Sequence, residues 1–377
     1  MSDELERLIA AFLKAETDII NEIARLRAGG LVDYHAEAAL ERVQAILRSL
    51  ENESWEYVPQ MIERQFYVQH PEARRFYESV KKHAAGYQNA EVLTAAQTDI
   101  VQRLTMNLMG EITEATATVG ASLEAMLIGR TTPDIFRRVG LEQVTAMEAA
   151  GSGPFQVTRK FVEALRREGV TAFVDRAGRR WSLHTYGSMV LRTTSRQAEV
   201  LAALTKDPEQ DLYKISSHST TCKLCAPYEG RVYSASGTDP DFPPLADAFG
   251  KMDPAGPNSL ANSWLNIHPG CLHVLAPWTP AGRTPEEIQK IKDFSNPARN
   301  PYSVDPRSQK QIEAYRRKEA ARRQWLETYR QWEDYRLAIP EATPKTFATF
   351  QKHKLAGDDK YKEWVKKYRE ATQHGET

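Results

Sequence analysis

The chain has 377 residues, 41% hydrophobic and 27% charged, with a formal net charge of zero. That length accommodates two or three domains, and the charged share, slightly above the globular norm, suits much exposed helix. No apolar run approaches the ~20 residues that span a bilayer. The start, Met1-Ser2-Asp3-Glu4, lacks the basic n-region of a signal peptide. Synthesis in a cytoplasm, with reduced cysteines, is therefore expected.

Charge is unevenly spread. The first sixty residues are acidic, whereas the segment after about Pro301 is basic, with Arg316, Arg317, Lys318, Arg322 and Arg323 close together. Such asymmetry suits ends with different partners, one of them polyanionic, although a solvated helix face gives the same pattern.

Leu5, Leu8, Ile9, Phe12, Ile19, Ile23 and Leu26 recur at three- and four-residue spacing, which predicts an amphipathic helix over 3–28, stopped by Gly29-Gly30. A second helix from about Asp33 to Leu50 would complete an αα-hairpin. The helical pattern continues to about Ser152, with Pro59 and Pro71 as breaks and a turn at Thr132-Pro133-Asp134. One long helix is expected from Thr94 to Leu127, where Gly110 and Gly120 imply close helix approach or a bend. Residues 1–152 thus read as an elongated helical N-terminal region.

Gly151-Ser152-Gly153-Pro154 is a break, and a helix over Val157–Arg167 follows. Then the texture changes. Gly169–Asp175 alternates β-branched and aromatic residues and fits a strand, and Arg176-Ala177-Gly178-Arg179 fits a hairpin turn. Tyr186–Leu204 returns to helical spacing, with Met189, Val190, Ala198 and Leu201 facing inward. Leu212–Ser217, Val232–Ser234 and Val274–Trp278 read as short strands, so 153–278 is a small α+β core. Residues 279–305, rich in Pro and Asn, read as a linker or strap. A charged helical tail over 306–377 follows, with helices at 306–337, Thr343–Lys354 and Asp358–Ala371. The fold class expected is mainly α with a small central α+β unit.

All three cysteines lie in that unit: Cys222 and Cys225 in a C-x-x-C knuckle, and Cys271 in His268-Pro-Gly-Cys-Leu-His273. Zinc favours four thiolate or imidazole ligands in a tetrahedron, and a C-x-x-C turn supplies two adjacent corners. Cys271 with His268 or His273 would supply the others, and His218 is a spare candidate. The bland alternative is three buried thiols acting as small hydrophobes. Catalytic grammars fit poorly. A zinc deaminase needs H-x-E before P-C-x-x-C, a metalloprotease needs H-E-x-x-H, and a nucleotide site needs a glycine-rich phosphate loop. None is present. A metal-dependent nuclease or hydrolase, with His218 or His268 as base, is the alternative that remains.

Gly169-Val-Thr-Ala-Phe-Val-Asp-Arg-Ala-Gly-Arg-Arg-Trp-Ser-Leu-His-Thr-Tyr186, Met189–Thr193, Ile215–Cys222, Tyr228–Ser234 and His268–His273 resemble, in order, the middle of the tailed-bacteriophage minor capsid proteins. This is the phage minor capsid protein 2 group, related to the Mu F-type head morphogenesis proteins. The resemblance covers roughly Val157 to Trp278, and Gln311–Arg316 and Tyr361–Arg369 fit it too. It implies a non-enzymatic virion protein at the portal vertex of the phage head, made in the bacterial cytoplasm and acting in head assembly, DNA packaging or delivery. The partners implied are the portal and other head proteins, in an oligomeric virion setting. Packaged DNA is a further candidate partner, through basic C-terminal helices with interleaved Trp and Tyr.

Overall fold

The computed structural model describes residues 3–28, 33–68, 93–127, 171–174, 179–207, 209–249 and 265–373. The expected stops at Gly29-Gly30 and Pro71, the turn at Thr132–Asp134, the break at Gly151–Pro154, the helix at Val157–Arg167 and most of the turn after Asp175 lie outside them. The chain is mainly α, with a small antiparallel sheet. In order the elements are α1 (Asp3–Ala28), α2 (Asp33–Val68), α3 (Ala95–Leu127), β1 (Ala172–Val174), β2 (Arg180–Ser182), α4 (Leu183–Lys206), β3 (Leu212–Ile215), β4 (Val232–Ser234), α5 (Ala246–Phe249), β5 (Leu275–Pro277), α6 (Pro285–Ser295), α7 (Gln309–Ala338), α8 (Phe347–Ala356) and α9 (Asp359–Gln373). None of the described helices is long and apolar enough to cross a membrane.

Contacts divide the chain into two compact units. The first comprises Met1–Phe12, Leu50–Ala115 and Val174–Arg316, and the second Leu13–Ser49, Thr116–Phe173 and Arg317–Thr377.

In the first unit, β3 is central and pairs antiparallel with β4 (Tyr213 opposite Tyr233) and with β5 (Ile215 opposite Leu275). Its side chains alternate, so Tyr213 and Ile215 point into the core while Leu212 and Lys214 stay half-exposed. Val200 and Ala203 of α4 meet that face, with Tyr228, Leu245, Phe249, Ile267, Cys225 and Cys271. The start of α4 is fixed by Ser182, whose hydroxyl accepts the Thr185 N–H. One turn on, Gly187 lies against the fully buried Phe12 ring of α1. Beside it the Tyr186 hydroxyl donates to Glu111 at 2.5 Å. The inward residues of α4 include Val190 and Ala198, as expected, whereas Met189 and Leu201 are half-buried.

Two expectations are corrected here. Pro59 does not break α2 but sits inside it, and the helix runs on to Val68. The lost N–H and the ring clash cost ~3 kcal/mol in an isolated helix. Burial of Val58, Met61, Ile62 and Phe66, all 0% exposed, outweighs that cost. The 279–305 stretch is also not without structure, because α6 lies in it. Thr284 and Glu287 form a capping box with Pro285 in the first turn. The helix is tied to the sheet, since the Ser295 hydroxyl accepts the Val232 N–H at 3.0 Å.

The second unit holds an aromatic core. Tyr329, Trp332 and Tyr335 of α7, Phe350 of α8, Trp364 of α9 and Leu13 of α1 pack together. Phe350 stacks on Trp364 at 5.6 Å, and the Trp332 indole N–H donates to the Pro344 carbonyl at 2.9 Å. Gly357, in the left-handed region (φ 60°), ends α8, and Asp358 then caps α9 by accepting the Tyr361 N–H. The interleaved tyrosines and tryptophans of the tail therefore form a core, and only Trp325 among those on α7 stays exposed, at 37%. Within the same unit Gly120 of α3 lets Leu47 approach, its Cδ1 3.4 Å from where a Cβ would stand; Gly110 has open space.

Candidate metal centre

Two turns bring the cysteines together. Beyond β3 the chain folds into the Cys222–Cys225 knuckle, closed by the Ala226 N–H donating to the Cys222 carbonyl at 3.1 Å. A single 3₁₀ turn over Ala226–Tyr228 follows, and the Tyr228 N–H donates back to the Cys225 carbonyl at 3.0 Å. The opposing turn is His268–Cys271, closed by the Cys271 N–H on the His268 carbonyl at 3.0 Å. Gly270 takes φ 75° there, which L-residues with side chains rarely adopt, and its N–H donates to Thr193 Oγ1 of α4 at 2.9 Å. The helix therefore positions the second turn. Ser216 Oγ, accepting the Val274 N–H at 3.1 Å, joins the two ends of the loop system.

Within this frame the five predicted ligands converge. Cys222 Sγ is 3.2 Å from His268 Nε2, Cys225 Sγ 3.6 Å from Cys271 Sγ, and Cys271 Sγ 3.3 Å from His273 Nδ1. The ligand atoms form two overlapping triads, Cys222–Cys225–His268 and Cys225–Cys271–His273, each within 4.8 Å. Cys225 belongs to both. Neighbouring corners of a tetrahedral zinc site, with Zn–S about 2.3 Å and Zn–N about 2.0 Å, stand roughly 3.5 Å apart; the three pairs above match that edge length, and among the described residues the ligand atoms group in threes. Cys225, Cys271 and His273 are buried, and Cys222 and His268 are half-buried.

Both rings are held as metal-binding imidazoles are usually held, with the second nitrogen on an oxygen. His268 Nδ1 lies 2.8 Å from the Pro269 carbonyl, and His273 Nε2 lies 2.6 Å from Glu229 Oε1. The same Glu229 oxygen accepts the His218 N–H at 2.8 Å, so one carboxylate fixes both strand ends of the loop. The sequence reading missed Glu229; its only signal is a carboxylate four residues beyond the knuckle, Cys225-Ala-Pro-Tyr-Glu229. His218 itself joins neither triad. Its Nε2 is 3.0 Å from Ser216 Oγ, and its ring stands edge-on to His273 at 4.5 Å between centroids.

The protons sort accordingly. The Cys222 thiol is held down to about 3, first by the hydrogen bond from Cys225 and then by that from His268. Cys271 is held at about 4 by Cys225 and by His273. Cys225, donating to both and buried, is pushed far up. Burial opposes the charge on His273, but Cys271 and Glu229 raise it to about 9. His268 is raised by Cys222 in the same way, also against burial. The metal-free cluster thus favours thiolates at Cys222 and Cys271 with the Cys225 thiol between them, a soft-donor set that a divalent ion fits by displacing protons.

No solved structure matches the chain. A "Structural protein" of Lactococcus phage LL-H is 29% identical over 115 residues, a stretch that spans 29% of this chain and 28% of that relative. The family described as Phage minor capsid protein 2 matches residues 2–338, nearly the whole chain. A structural role in a phage particle accords with both findings. The chain belongs to the phage minor capsid protein 2 family.

Proposed function

We propose that the protein is a structural minor capsid component of a phage head, positioned at the portal vertex and serving head assembly and DNA packaging or delivery, with a zinc ion stapling its α+β unit. In this reading the helices of residues 1–152 dock on portal or other head proteins through apolar faces. Residues 153–278 form the rigid centre, and the tail beyond residue 306 faces packaged DNA. The observation that carries the metal staple is the convergence of Cys222, Cys225, His268, Cys271 and His273 in a core otherwise built from three short strands. Strands of three and four residues bury little by themselves, and a closed thiolate–imidazole site adds folding free energy outright. Bound there, zinc would supply structural charge neutralisation of the thiolates.

The test is paired. Cys222→Ser with Cys225→Ser should lower the melting temperature and the yield of assembled heads, and purified protein should leave DNA intact in Mg²⁺, Mn²⁺ or Zn²⁺. Cleavage that is abolished by His268→Ala in a protein that stays folded would overturn the structural reading in favour of a metal-dependent nuclease.

A further inference from the structure

The first half of α7 carries a concentration of positive charge, interleaved with Glu313 and Glu319. Over Arg316–Arg323 the sequence is Arg-Arg-Lys-Glu-Ala-Ala-Arg-Arg, five cations against Glu319. All five cations are exposed. Among the described residues none of them has a carboxylate within ion-pairing distance, and the nearest ion pairs on either side are Arg307–Asp305 and Arg336–Glu333. Helix α9 is also rich in cations but built differently, because Lys362, Lys366 and Lys367 each lie against a carboxylate of their own helix.

Part of the display has a direction. Residues seven apart on an α-helix share a face within ~20°, so Arg316, Arg323 and Arg330 form one stripe. The buried side of α7, marked by Thr328, Tyr329, Trp332 and Tyr335, lies on the other side of the helix. Arg317, Lys318 and Arg322 leave the helix on its other sides, at ~100° per residue, and are exposed because the buried residues of α7 begin only at Thr328. Five cations within eight residues occupy ~12 Å of helix axis, a spacing that duplex DNA, with a phosphate charge every ~1.7 Å, can match by lying alongside. Tyr329, Trp332 and Tyr335 of α7 are committed to the core, and Trp325, 37% exposed, is stacked on Tyr329 at 5.8 Å.

We infer that Arg316–Arg323 of α7 is a nucleic-acid phosphate-binding element, sequence-independent and purely electrostatic, whose partner is the backbone of duplex DNA. The inference rests on the structural phage-head reading for the source of that DNA, and it narrows the contact to eight residues. α9 takes no part.

The test uses the full chain and a mixed-sequence 30-base-pair duplex, with affinity measured by fluorescence anisotropy across a salt series. The stripe cations Arg316 and Arg323 alone give a slope of log affinity against log salt of about −1.8, and contact by all five cations gives about −4.5. Neutralising Arg316, Arg317, Lys318, Arg322 and Arg323 to Gln should flatten that slope to near zero and weaken binding at least 100-fold at low salt, with helical content unchanged. Neutralising Lys360, Lys362, Lys366 and Lys367 to Gln, a change of similar size on α9, should alter affinity less than fivefold. No binding by the wild type at low salt, equal losses in the two variants, or tighter binding to polyglutamate than to DNA would each overturn the inference. Incorporation of the α7 variant into heads separates the two readings. Normal incorporation with lost DNA binding upholds both, normal incorporation by a wild type that binds no DNA sinks only this one, and a wild type absent from heads sinks the structural reading.

Discussion

Gly187→Ala probes how α4 is seated on α1. In an exposed helix interior this change would stabilise by about 1 kcal/mol, because alanine is the better helix former. Here an ideal Cβ would stand 2.2 Å from Phe12 Cδ1, 2.4 Å from Cγ and 2.6 Å from Cε1. Carbon atoms rest at about 3.5 Å or more, so the ring or the helix must retreat by about 1.3 Å. Phe12 is 0% exposed, so its ring cannot retreat without displacing buried neighbours or the helix. Overpacking of a filled core costs ~1–3 kcal/mol. Set against the propensity gain, and given an overlap of this depth, the net effect should be a loss of about 1–2 kcal/mol. Urea unfolding followed at the helical circular-dichroism band should show a lower midpoint at unchanged slope. Phe12→Ala removes all three clashing ring atoms, so the double variant should lose at least ~1 kcal/mol less than the sum of the singles. A stabilised Gly187→Ala, or strict additivity with Phe12→Ala, would refute the close packing of these helices.

Further outcomes follow from particular side chains. Cys225 belongs to both ligand triads and bridges both thiolates, so Cys225→Ser should lower thermal stability more than Cys222→Ser; the reverse order in a melting comparison would count against a shared central thiol. Arg231 is 1% exposed, with no hydrogen-bond partner for Nε or Nη1 among the described residues, and lies over the Tyr302 ring at 4.6 Å. Because a buried, poorly paired charge is costly, Arg231→Met should be neutral or stabilising by up to ~2 kcal/mol in the same urea assay, and a loss of that size would contradict it. Asp358 is held below the usual carboxyl range by His353 and then by the Tyr361 N–H. A depressed carboxyl contributes stability above its unfolded value and loses it as pH falls through the folded one. Asp358→Ala should therefore melt lower than wild type at pH 7, with the gap closing at pH values well below 3.8; a gap independent of pH would show that the carboxylate is not the stabilising form.

What could be read from the sequence was whatever rests on periodicity or on rare residue types. The α3 span, the strands on either side of the knuckle and the nearness of the five candidate Cys and His residues all carry such local signals. What escaped depends on tertiary context. A proline reads as a break until the apolar residues that bury around it are known, as with Pro59. Thr284-Pro-Glu-Glu287 is a helix start that the Pro- and Asn-rich surroundings obscured. Tyr329, Trp332 and Tyr335 among arginines look like a nucleic-acid surface, and only their packing on Phe350 and Trp364 shows them to be a core. Glu229 is an ordinary acidic residue in the sequence, and it becomes part of the centre because the fold carries His273 and the His218 N–H to it.

The account turns on the metal staple in the α+β unit. The most direct measurement is elemental analysis of the protein, purified without an affinity tag, together with its melting temperature before and after chelation. About one zinc per chain, removed by chelator with a marked fall in melting temperature and restored by added Zn²⁺, is the predicted result. Metal-free protein that melts at the same temperature with or without zinc would contradict it.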